Sequence, residues 1–361
     1  MSNIEEKLCK LISFKTDDNK NEIAKIVSYI ANIFDRHNVV YEVIKNNDGR
    51  ENIVALVGGK SFRNLDDAIL LSGHLDVVGA IDEMFEPKVQ NGKVFGRGAV
   101  DMKGFIAVVL SSIDELKQLN RPIVLAFSSD EETSVNGVKS ILKFFDENKI
   151  KFVGGIVGEP TNFKIGLANR GYLCARFNIK GKAVHSSVNK NGINAVEIMA
   201  KLWQKIFELN DSFYDNGATL NVGKIKCNNE VNVVADRGDF LFEIRYDDEG
   251  KKDIILQSIL RQREKLEDEY KGLEIKYEKM LEILSFKNDG KGDFAKKIIE
   301  KTNGDIRNLP YATEAGFYQN YGIDVVLFGA GLDELCHTKN EAILLSDLDK
   351  YKDVLLKILT D

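Results

Sequence analysis

Three short apolar runs in the first half of the chain constrain the fold more than any other feature. They span residues 68–74, 123–128 and 153–157, and polar residues follow each of them. Continuous apolar runs of this length are typical of strands that are buried on both faces, as in a parallel sheet covered by helices. Helical patterns near residues 102–118 and 135–147 would supply the crossover connections that parallel strands need. The sequence therefore predicts an α/β fold with a mixed, mainly parallel central sheet flanked by helices.

Near residue 170 the continuous apolar runs give way to a different sequence pattern. Three segments beyond this point alternate apolar and polar residues, which is typical of an antiparallel sheet with one solvated or partner-facing side. The alternating segments are residues 172–179, 220–225 and 239–246, and helical patterns lie at about 193–210 and 250–268. These elements predict a smaller α+β domain.

The buried-strand pattern returns towards the C-terminus. It is clearest at residues 323–328, and a closing helix is expected near residues 346–359. A chain of 361 residues also exceeds one ordinary hydrophobic core, so two domains are expected. We therefore predict a discontinuous catalytic domain of residues 1–168 plus 284–361, with residues 169–283 inserted into it as the smaller domain.

Acidic residues and a histidine follow the predicted parallel strands. His74 ends the first run, Glu131 and Glu132 follow the second, and Glu159 follows the third. In open α/β sheets, ligands collect beyond the carboxyl ends of the strands, so these side chains are expected to converge. Imidazole and carboxylate are ligands that zinc takes in catalytic sites, where one coordination position stays open for water. The sequence therefore predicts a catalytic metal centre at this edge of the sheet.

His74 taken alone would more often be a hydrogen-bonded histidine than a metal ligand. The pattern His74-Leu75-Asp76 favours a ligand, since residues i and i+2 of a strand share a face. Asp76 is then expected to accept a hydrogen bond from the second imidazole nitrogen and fix the tautomer, as is typical around zinc histidines. The alternative for Asp76 is a turn residue before Val77.

Asp101 lies between Gly98 and Gly104, where the backbone has unusual freedom. As a bridging carboxylate it would hold two metal ions at about 3.5–4 Å, a spacing at which both ions act on one water. The alternative is an N-cap for the following helix, and one residue can do both.

Glu131 and Glu132 are adjacent, so their side chains are expected to point in different directions. This favours a division of labour in which one ligates a metal ion and the other serves as a base. The alternative is a solvated acidic turn, and the apolar run before it weighs against that. Glu159, whose backbone the following proline pushes towards an extended form, is either a ligand or a turn acid. His337 near the C-terminus completes the set, and Cys336 beside it is interpreted as a packing residue.

The composition excludes some classes of partner. A formal net charge of −6 arises from 50 basic and 56 acidic residues without a large basic block, which argues against nucleic acid or an anionic membrane as partner. The four cysteines contain no Cys-x-x-Cys pair; a disulfide stays open, although a reduced intracellular chain is simpler. Neither a secretory signal nor a transmembrane run is apparent, so we expect a cytoplasmic protein.

Taken together, these motifs resemble the family of acetylornithine deacetylase, succinyl-diaminopimelate desuccinylase, aminoacylase and glutamate carboxypeptidase, which are dinuclear zinc hydrolases. The resemblance covers nearly the whole chain in order. Further motifs look like the acetylornithine deacetylase branch. They are Gly158-Glu159-Pro160-Thr161, His185-Ser186-Ser187 with Gly192-Ile193-Asn194-Ala195, Thr219-Leu220-Asn221-Val222-Gly223, and Thr313-Glu314-Ala315.

The resemblance implies two zinc ions per subunit, with cobalt or manganese as possible substitutes. One ion would be held by His74, Asp101 and Glu159, and the other by Asp101, Glu132 and His337. Glu131 would be the general base. In relatives the peptide bond after the bridging aspartate is cis, and the resemblance implies the same for Asp101–Met102.

The resemblance also implies that the smaller domain is both a lid and a dimerisation surface. His185 on that domain would reach the active site of the partner subunit and stabilise the oxyanion. Arg245, in the run Glu243-Ile244-Arg245, would hold a substrate carboxylate, with Asn232 nearby. The implied reaction is hydrolysis of an Nα-acyl amino acid, with N-acetylornithine as the best match. It would give acetate and the free amine, in arginine biosynthesis.

Some segments depart from the usual family pattern, and they bear on the substrate rather than on hydrolysis. Relatives commonly have Thr-Val-Pro, a proline-rich turn and Gly-Pro-Gly at the three places concerned. This chain has Val77-Val78-Gly79, Tyr246-Asp247-Asp248-Glu249 and Gly329-Ala330-Gly331 there.

Three alternatives to an acetylornithine deacetylase follow from the sequence. The nearest is another substrate of the same family, such as N-succinyl-diaminopimelate, another acyl-amino acid or a dipeptide. A second is a mononuclear metal protein whose remaining carboxylates are structural. The third is a non-catalytic binder of amino acids or peptides, which would be expected to have lost a ligand or the base, whereas all are present.

Overall fold

The computed structural model describes residues 2–209, 213–214, 217–227, 229–302 and 304–360. The chain forms two compact units. The first comprises Met1–Ala168, Lys287–Leu309 and Thr313–Asp361, and the second comprises Asn169–Phe286 and Pro310–Ala312.

The strands within the described residues are, in chain order, β1 (Val40–Lys45), β2 (Glu51–Val57), β3 (Ala68–His74), β4 (Lys88–Gln90), β5 (Lys93–Phe95), β6 (Ile123–Ser128), β7 (Phe152–Val157), β8 (Ile165–Asn169), β9 (Gly171–Lys180), β10 (Ala218–Lys226), β11 (Arg237–Tyr246), β12 (Glu274–Ile283), β13 (Phe286–Lys287), β14 (Ile306–Leu309), β15 (Val325–Leu327) and β16 (Ala342–Leu344). The α-helices are α1 (Asn3–Ile12), α2 (Lys20–Arg36), α3 (Lys103–Ser111), α4 (Ile113–Leu116), α5 (Asn136–Asn148), α6 (Ala195–Phe207), α7 (Glu249–Glu269), α8 (Asp293–Thr302), α9 (Ala315–Asn320) and α10 (Leu345–Leu359).

The first unit is built around a mixed sheet whose centre is parallel. Its strands follow the order β1-β2-β6-β3-β7-β15-β8-β13, and β14 pairs with β8. β3 lies between β6 and β7 and runs parallel to both, and β15 runs parallel to β7. β1 and β2 extend the sheet beyond β6 in antiparallel fashion. The predicted α/β fold class is confirmed.

Burial explains why the central strands carry apolar residues up to their ends. Every residue of β3 and of β6 is buried. Helix α3 is wholly buried as well, including Lys103, and its apolar residues lie on all sides, as expected of a helix inside a core. Helices α1 and α10 pack against it. The first polar side chains after these apolar strands therefore lie at the carboxyl ends of the strands, at the edge of the core.

The predicted helix near residues 102–118 is two helices. Helix α3 ends at Ser111, and the next residue, Ser112, has a φ of −109° and a ψ of 9°, which lie outside the helical region. Helix α4 begins directly after it, at Ile113. The hydroxyl of Ser112 donates to the carbonyl oxygen of Val108 at 2.8 Å. A serine hydroxyl that bonds back to the preceding turn is a known cause of helix bending.

The second unit contains an antiparallel sheet in the order β10-β11-β9-β12. Strand β9 alternates buried and half-buried residues along its length, and α6 packs against it and against β11. The buried face contains an aromatic cluster in which the ring of Phe177 stacks on Phe242 at 5.2 Å and lies 5.5 Å from Phe240. The α+β arrangement that the alternating pattern predicts is thus present.

Strand β12 has no counterpart among the predicted strands. Its pairing with β9 shifts between Lys279 and Leu281, where a bulge interrupts the register. A bulge moves every later side chain to the other face, so the alternation changes phase in the middle of the strand. No continuous period-two pattern therefore marks this segment in the sequence.

A small sheet of β16, β5 and β4 also belongs to the first unit. In it, Ala342 pairs with Phe95 and Leu344 pairs with Lys93. Three-residue strands are too short to give a sequence pattern, which is why none was expected here. This sheet joins the segment after His337 to the segment before Asp101. Within the described residues no helix is long and apolar enough to cross a membrane.

Candidate metal centre

The carboxyl ends of three parallel strands bring the acidic and imidazole groups of the first unit together. His74 pairs with Ser128, the last residue of β6, and Glu131 and Glu132 follow shortly after that strand. Strand β7 lies on the other side of β3, and Glu159 comes just after its end. Because the three strands are parallel, their carboxyl ends lie at one edge of the sheet, where ligand sites of α/β folds form.

The five predicted ligands form two overlapping groups. One contains His74, Asp101 and Glu159, the other contains Asp101, Glu132 and His337, and the ligand atoms within each group lie within 4.8 Å of one another. Asp101 belongs to both groups. Its Oδ1 lies 3.1 Å from His74 Nε2, and its Oδ2 lies 3.3 Å from His337 Nε2. The two oxygens of one carboxylate therefore face the two groups, as a bridging ligand would.

Burial and like charge raise the pKa values of the glutamates. Burial, followed by the negative charge of Asp101, raises the pKa of Glu159 to about 8. Burial also raises the pKa of Glu131 well above its usual value; His74 opposes this shift, and the charge of Glu132 adds to it. The site therefore holds more negative charge than its own protein groups compensate.

The two histidines show the complementary effect. Hydrogen bonds to Asp101 and Glu132 raise the pKa of His337 to about 10. Burial by itself lowers the pKa of His74, but hydrogen bonds to Asp101 and Asp76 raise it well above its usual value. Positive charge is thus favoured at both imidazole positions.

The donor set fits divalent cations. Buried carboxylates need a compensating positive charge. The raised pKa values of the two imidazoles favour protonated rings, which supply part of that charge. A metal ion bound by these groups would take over that charge as the imidazoles lose their protons. Sets of three imidazole and carboxylate donors are also the kind in which catalytic zinc is held.

Asp76 lies beside the second imidazole nitrogen of His74, as expected, and also contacts the turn of the two glutamates. The nearest partner of His74 Nδ1 is the backbone carbonyl oxygen of Asp76 at 3.0 Å, and the Asp76 carboxylate is 3.6 Å away. That carboxylate accepts hydrogen bonds from the backbone N–H groups of Glu131 at 3.1 Å and of Glu132 at 2.9 Å. Asp76 therefore orients the imidazole mainly through its main chain and holds the turn of the two glutamates with its side chain.

The solvated acidic turn considered for Glu131 and Glu132 is not what the structure has. Glu131 is 8% exposed, and the side chain of Glu132 is 11% exposed. Glu132 Oε1 lies 3.0 Å from His337 Nε2. Glu131 also forms a group with His74 and Glu132 whose ligand atoms lie within 4.8 Å of one another, so its position is compatible with a base or with a further ligand.

Asp101 does not cap the helix that follows it. The N-cap residue of α3 is Met102, which gives no side-chain hydrogen bond to the helix, and the Asp101 carboxylate faces the histidines instead. Gly98 has a φ of 85°, in the region that favours glycine, which explains a glycine in this turn. The Asp101–Met102 peptide bond is cis, as the resemblance implies.

His337 is the most exposed member of the set. Half of its side chain, 51%, is accessible to solvent, whereas His74 is 1% exposed. Its φ of 62° lies in the left-handed region, which residues other than glycine seldom adopt. Such a conformation persists where the surroundings fix the backbone.

His185 and Asn232 lie together in the second unit. The N–H of Ser186 donates to the carbonyl oxygen of Asn232 at 3.0 Å. The imidazole Nδ1 of His185 lies 2.8 Å from the hydroxyl of Ser187, and both His185 and Asn232 are exposed. His185 Nε2 takes part in no hydrogen bond to a described residue of this unit.

Arg245 lies half-buried on β11 of the second unit. Its guanidinium stands 4.1 Å from the centre of the Tyr172 ring, and its Nη2 lies 3.7 Å from the carboxylate of Glu243. Stacking on an aromatic ring orients a planar guanidinium and leaves its edges available for hydrogen bonds.

Two buried glutamates of the first unit received no role in the sequence analysis. Glu314 is 1% exposed, burial raises its pKa to about 8, and its Oε1 has no hydrogen-bond partner among the described residues. Glu341, also 1% exposed, accepts hydrogen bonds from the N–H groups of Val100 and Asp101. Glu314 could have been predicted, because it lies in the motif Thr313-Glu314-Ala315 that belongs to the family resemblance. No apolar pattern in the sequence marks Glu341 as buried.

Comparison with known proteins places these features in a family. The sequence model of peptidase family M20/M25/M40 matches residues 70–361. Acetylornithine deacetylase of Buchnera aphidicola is 28% identical over 99% of this chain and 96% of its own length. A probable succinyl-diaminopimelate desuccinylase of Staphylococcus aureus is 27% identical over 98% of this chain and 97% of its own length.

Solved structures of similar fold include two bacterial peptidases. Aminopeptidase PepT of Bacillus cereus has a TM-score of 0.78 at 19% identity and covers 99% of this chain and 97% of its own. A dinuclear metal-binding peptidase of the M20 family from Bacillus subtilis has a TM-score of 0.69 at 15% identity and covers 99% of this chain and 96% of its own. At these identities the likeness concerns the fold.

The two ligand groups predict the metal stoichiometry. Adding Zn²⁺ to the metal-free chain is expected to give two bound ions per chain by native mass spectrometry. It should also raise the melting temperature, because an ion that binds only the folded state stabilises it by about 2.7 kcal/mol at 100 times its dissociation constant. The His337→Ala variant is expected to keep one ion, held by the buried group around His74.

The control for this experiment is His37→Ala. His37 lies away from the site and pairs with Asp114 at 2.9 Å, so this variant is expected to bind two ions like the unmodified chain. An unmodified chain that binds one ion or none would contradict the dinuclear centre.

Proposed function

Because the chain belongs to peptidase family M20/M25/M40, we propose that it is a dinuclear metal-dependent amidohydrolase that removes the acyl group from an Nα-acyl amino acid. The proposed substrate is N-acetylornithine, which gives ornithine and acetate. The observation that carries the proposal is the shared position of Asp101 between two three-donor groups. The acetylornithine deacetylase among the relatives supports the substrate.

We assign His74, Asp101 and Glu159 to one zinc ion, and Asp101, Glu132 and His337 to the other. The two zinc ions, or cobalt or manganese in their place, would supply Lewis-acid polarisation of the amide carbonyl and a lowered pKa for a bound water. Asp76 keeps the turn that carries Glu132 in place through two backbone hydrogen bonds. The protein thereby fixes the ligands before any substrate arrives.

Glu131 is the proposed general base. It accepts a proton from the attacking water and passes that proton to the nitrogen of the leaving amine. In the metal-free chain, burial raises the pKa of the Glu131 carboxyl, the charge of His74 opposes this shift and the charge of Glu132 adds to it.

The second unit supplies the proposed substrate contacts. His185 would stabilise the oxyanion from the partner subunit in a homodimer formed through this unit. Arg245 would bind the substrate carboxylate in a bidentate manner, for which a guanidinium suits better than an ammonium group. Its stacking on Tyr172 supports this role, since it orients the guanidinium in advance. Asn232 is proposed as a further polar contact of the substrate.

A second candidate substrate is N-succinyl-diaminopimelate. It is favoured by the Staphylococcus aureus relatives, which match the chain nearly as well as the acetylornithine deacetylase does. Both substrates are Nα-acyl amino acids with a free carboxylate beside the acylated amine. The proposed hydrolytic residues are the same for both, so the choice depends on the acyl and side-chain pockets.

The Glu131→Gln variant is expected to lose a factor of about 10²–10⁴ in kcat, because the amide cannot take up the proton of the attacking water. Both metal ions should stay bound, which native mass spectrometry would check. The matched variant Glu132→Gln is expected to lose metal instead. A Glu131→Gln enzyme with a near-normal rate would remove Glu131 as the base, and one that loses an ion would make it a ligand.

The substrate proposal is tested by turnover of the zinc-loaded enzyme on four compounds: N-acetylornithine, N-acetylmethionine, N-succinyl-diaminopimelate and a dipeptide. Release of free amine is the measurement, and the highest kcat/KM is expected for N-acetylornithine. A preference for another compound would keep the hydrolytic mechanism and reject the substrate. Two bound metal ions without turnover of any of the four would contradict the proposed activity.

A further inference from the structure

A buried ion pair lies directly behind the shared ligand Asp101. The guanidinium of Arg97 donates from Nη1 to Glu341 Oε2 at 2.6 Å. Arg97 is 4% exposed and Glu341 is 1% exposed. Breaking a buried pair of this kind leaves an uncompensated charge, so the two side chains hold each other in one position.

The second carboxylate oxygen of Glu341 accepts hydrogen bonds from the main chain. Oε1 accepts hydrogen bonds from the N–H of Val100 at 3.0 Å and from the N–H of Asp101 at 3.2 Å. The carbonyl oxygen of Glu341 accepts a third hydrogen bond, from the N–H of Gly96 at 3.1 Å. One residue therefore fixes the loop that carries the bridging carboxylate at both of its ends.

Glu341 also lies close to the second histidine in the sequence. It follows His337 by four residues, and β16, which begins directly after it, pairs with β5. His337 has a left-handed φ of 62°, so its backbone needs support from its surroundings. Glu341 thus connects the segment of His337 with the loop of Asp101.

We propose that Glu341, held by Arg97, is a positioning residue for the dinuclear centre: it sets the position of the Asp101 carboxylate relative to His337. The inference rests on the proposed function, since it concerns the metal ions assigned to these ligands. Groups behind the ligands of metal sites typically contribute a factor of about 10–100 to metal affinity or activity. Among the described residues Glu341 makes no hydrogen bond to the side chain of a proposed ligand, and it acts through the backbone N–H of Asp101.

The test is the Glu341→Gln variant loaded with Co²⁺. The amide has one acceptor oxygen instead of two and no charge, so at the same side-chain size it can accept from Arg97 or from the N–H groups of Val100 and Asp101, but not from both. Cobalt affinity is expected to fall by about 10–100-fold. The visible absorption of bound cobalt, which reports ligand geometry, is expected to change, and kcat to fall with little change in KM.

The matched control is Asp333→Asn. Arg307 and Asp333 form another arginine–carboxylate pair of the first unit, with N–O distances of 3.2 and 2.7 Å, on the other side of His337 in the sequence. This change removes the same charge from a similar pair, in which the Asp333 carboxylate accepts hydrogen bonds from Arg307. It is expected to leave cobalt affinity, spectrum and kcat unchanged, even where it lowers the melting temperature.

The outcomes separate this inference from the proposed function. Wild-type enzyme that binds two cobalt ions, beside a Glu341→Gln variant with unchanged affinity and spectrum, overturns the positioning role alone. An equal loss in the Asp333→Asn control overturns it as well, since the effect would then be general destabilisation. Wild-type chain that binds no cobalt overturns the proposed function together with the inference.

A second variant serves if Glu341→Gln does not fold. Glu341→Asp keeps the charge for Arg97 but shortens the side chain by one methylene, so its carboxylate cannot reach both partners. A shifted cobalt spectrum and weaker binding support the inference. A wild-type spectrum and affinity in Glu341→Asp overturn it.

Discussion

The position of β3 between two parallel neighbours is the constraint on which the site depends. β3 pairs with β6 and β7, and every residue of β3 and of β6 is buried, so a shift of the pairing along the strands would carry the polar residues that follow them into the apolar core. This fixed register places His74, the Glu131–Glu132 turn and Glu159 at the same edge of the sheet, where the carboxyl ends of the parallel strands lie. The chemistry of the site is thus a consequence of how three apolar strands pack.

Convergence of so many carboxylates carries an electrostatic cost. Burial raises the pKa of Glu159 to about 8, and the histidines compensate by holding positive charge. Groups of this kind are unfavourable in a core unless a cation completes them. A bound divalent cation is therefore expected to stabilise an arrangement that costs stability in the metal-free chain.

Much of this could be predicted from the sequence, because apolar runs and their polar ends are local features. The α/β class, the antiparallel layer and the candidate ligands His74, Glu132 and Glu159 follow from such patterns, whereas the division of the ligands into two groups was implied by the resemblance. Long-range hydrogen bonds could not be predicted in the same way. The carboxylate of Asp76 lies 3.6 Å from the imidazole of His74 and also accepts hydrogen bonds from the backbone of Glu131 and Glu132. Glu341 meets Val100 and Asp101 only in the folded chain. Strand β12 was missed because its bulge changes the phase of the alternation.

The proposed function depends on Asp101 as the ligand that two metal ions share. Anomalous X-ray diffraction at the zinc edge, from crystals of the zinc-loaded protein, tests it most directly. Two peaks about 3.5–4 Å apart are expected, one beside His74 and Glu159 and the other beside Glu132 and His337, with the Asp101 carboxylate between them. A single peak, or two peaks that do not share Asp101, would contradict it.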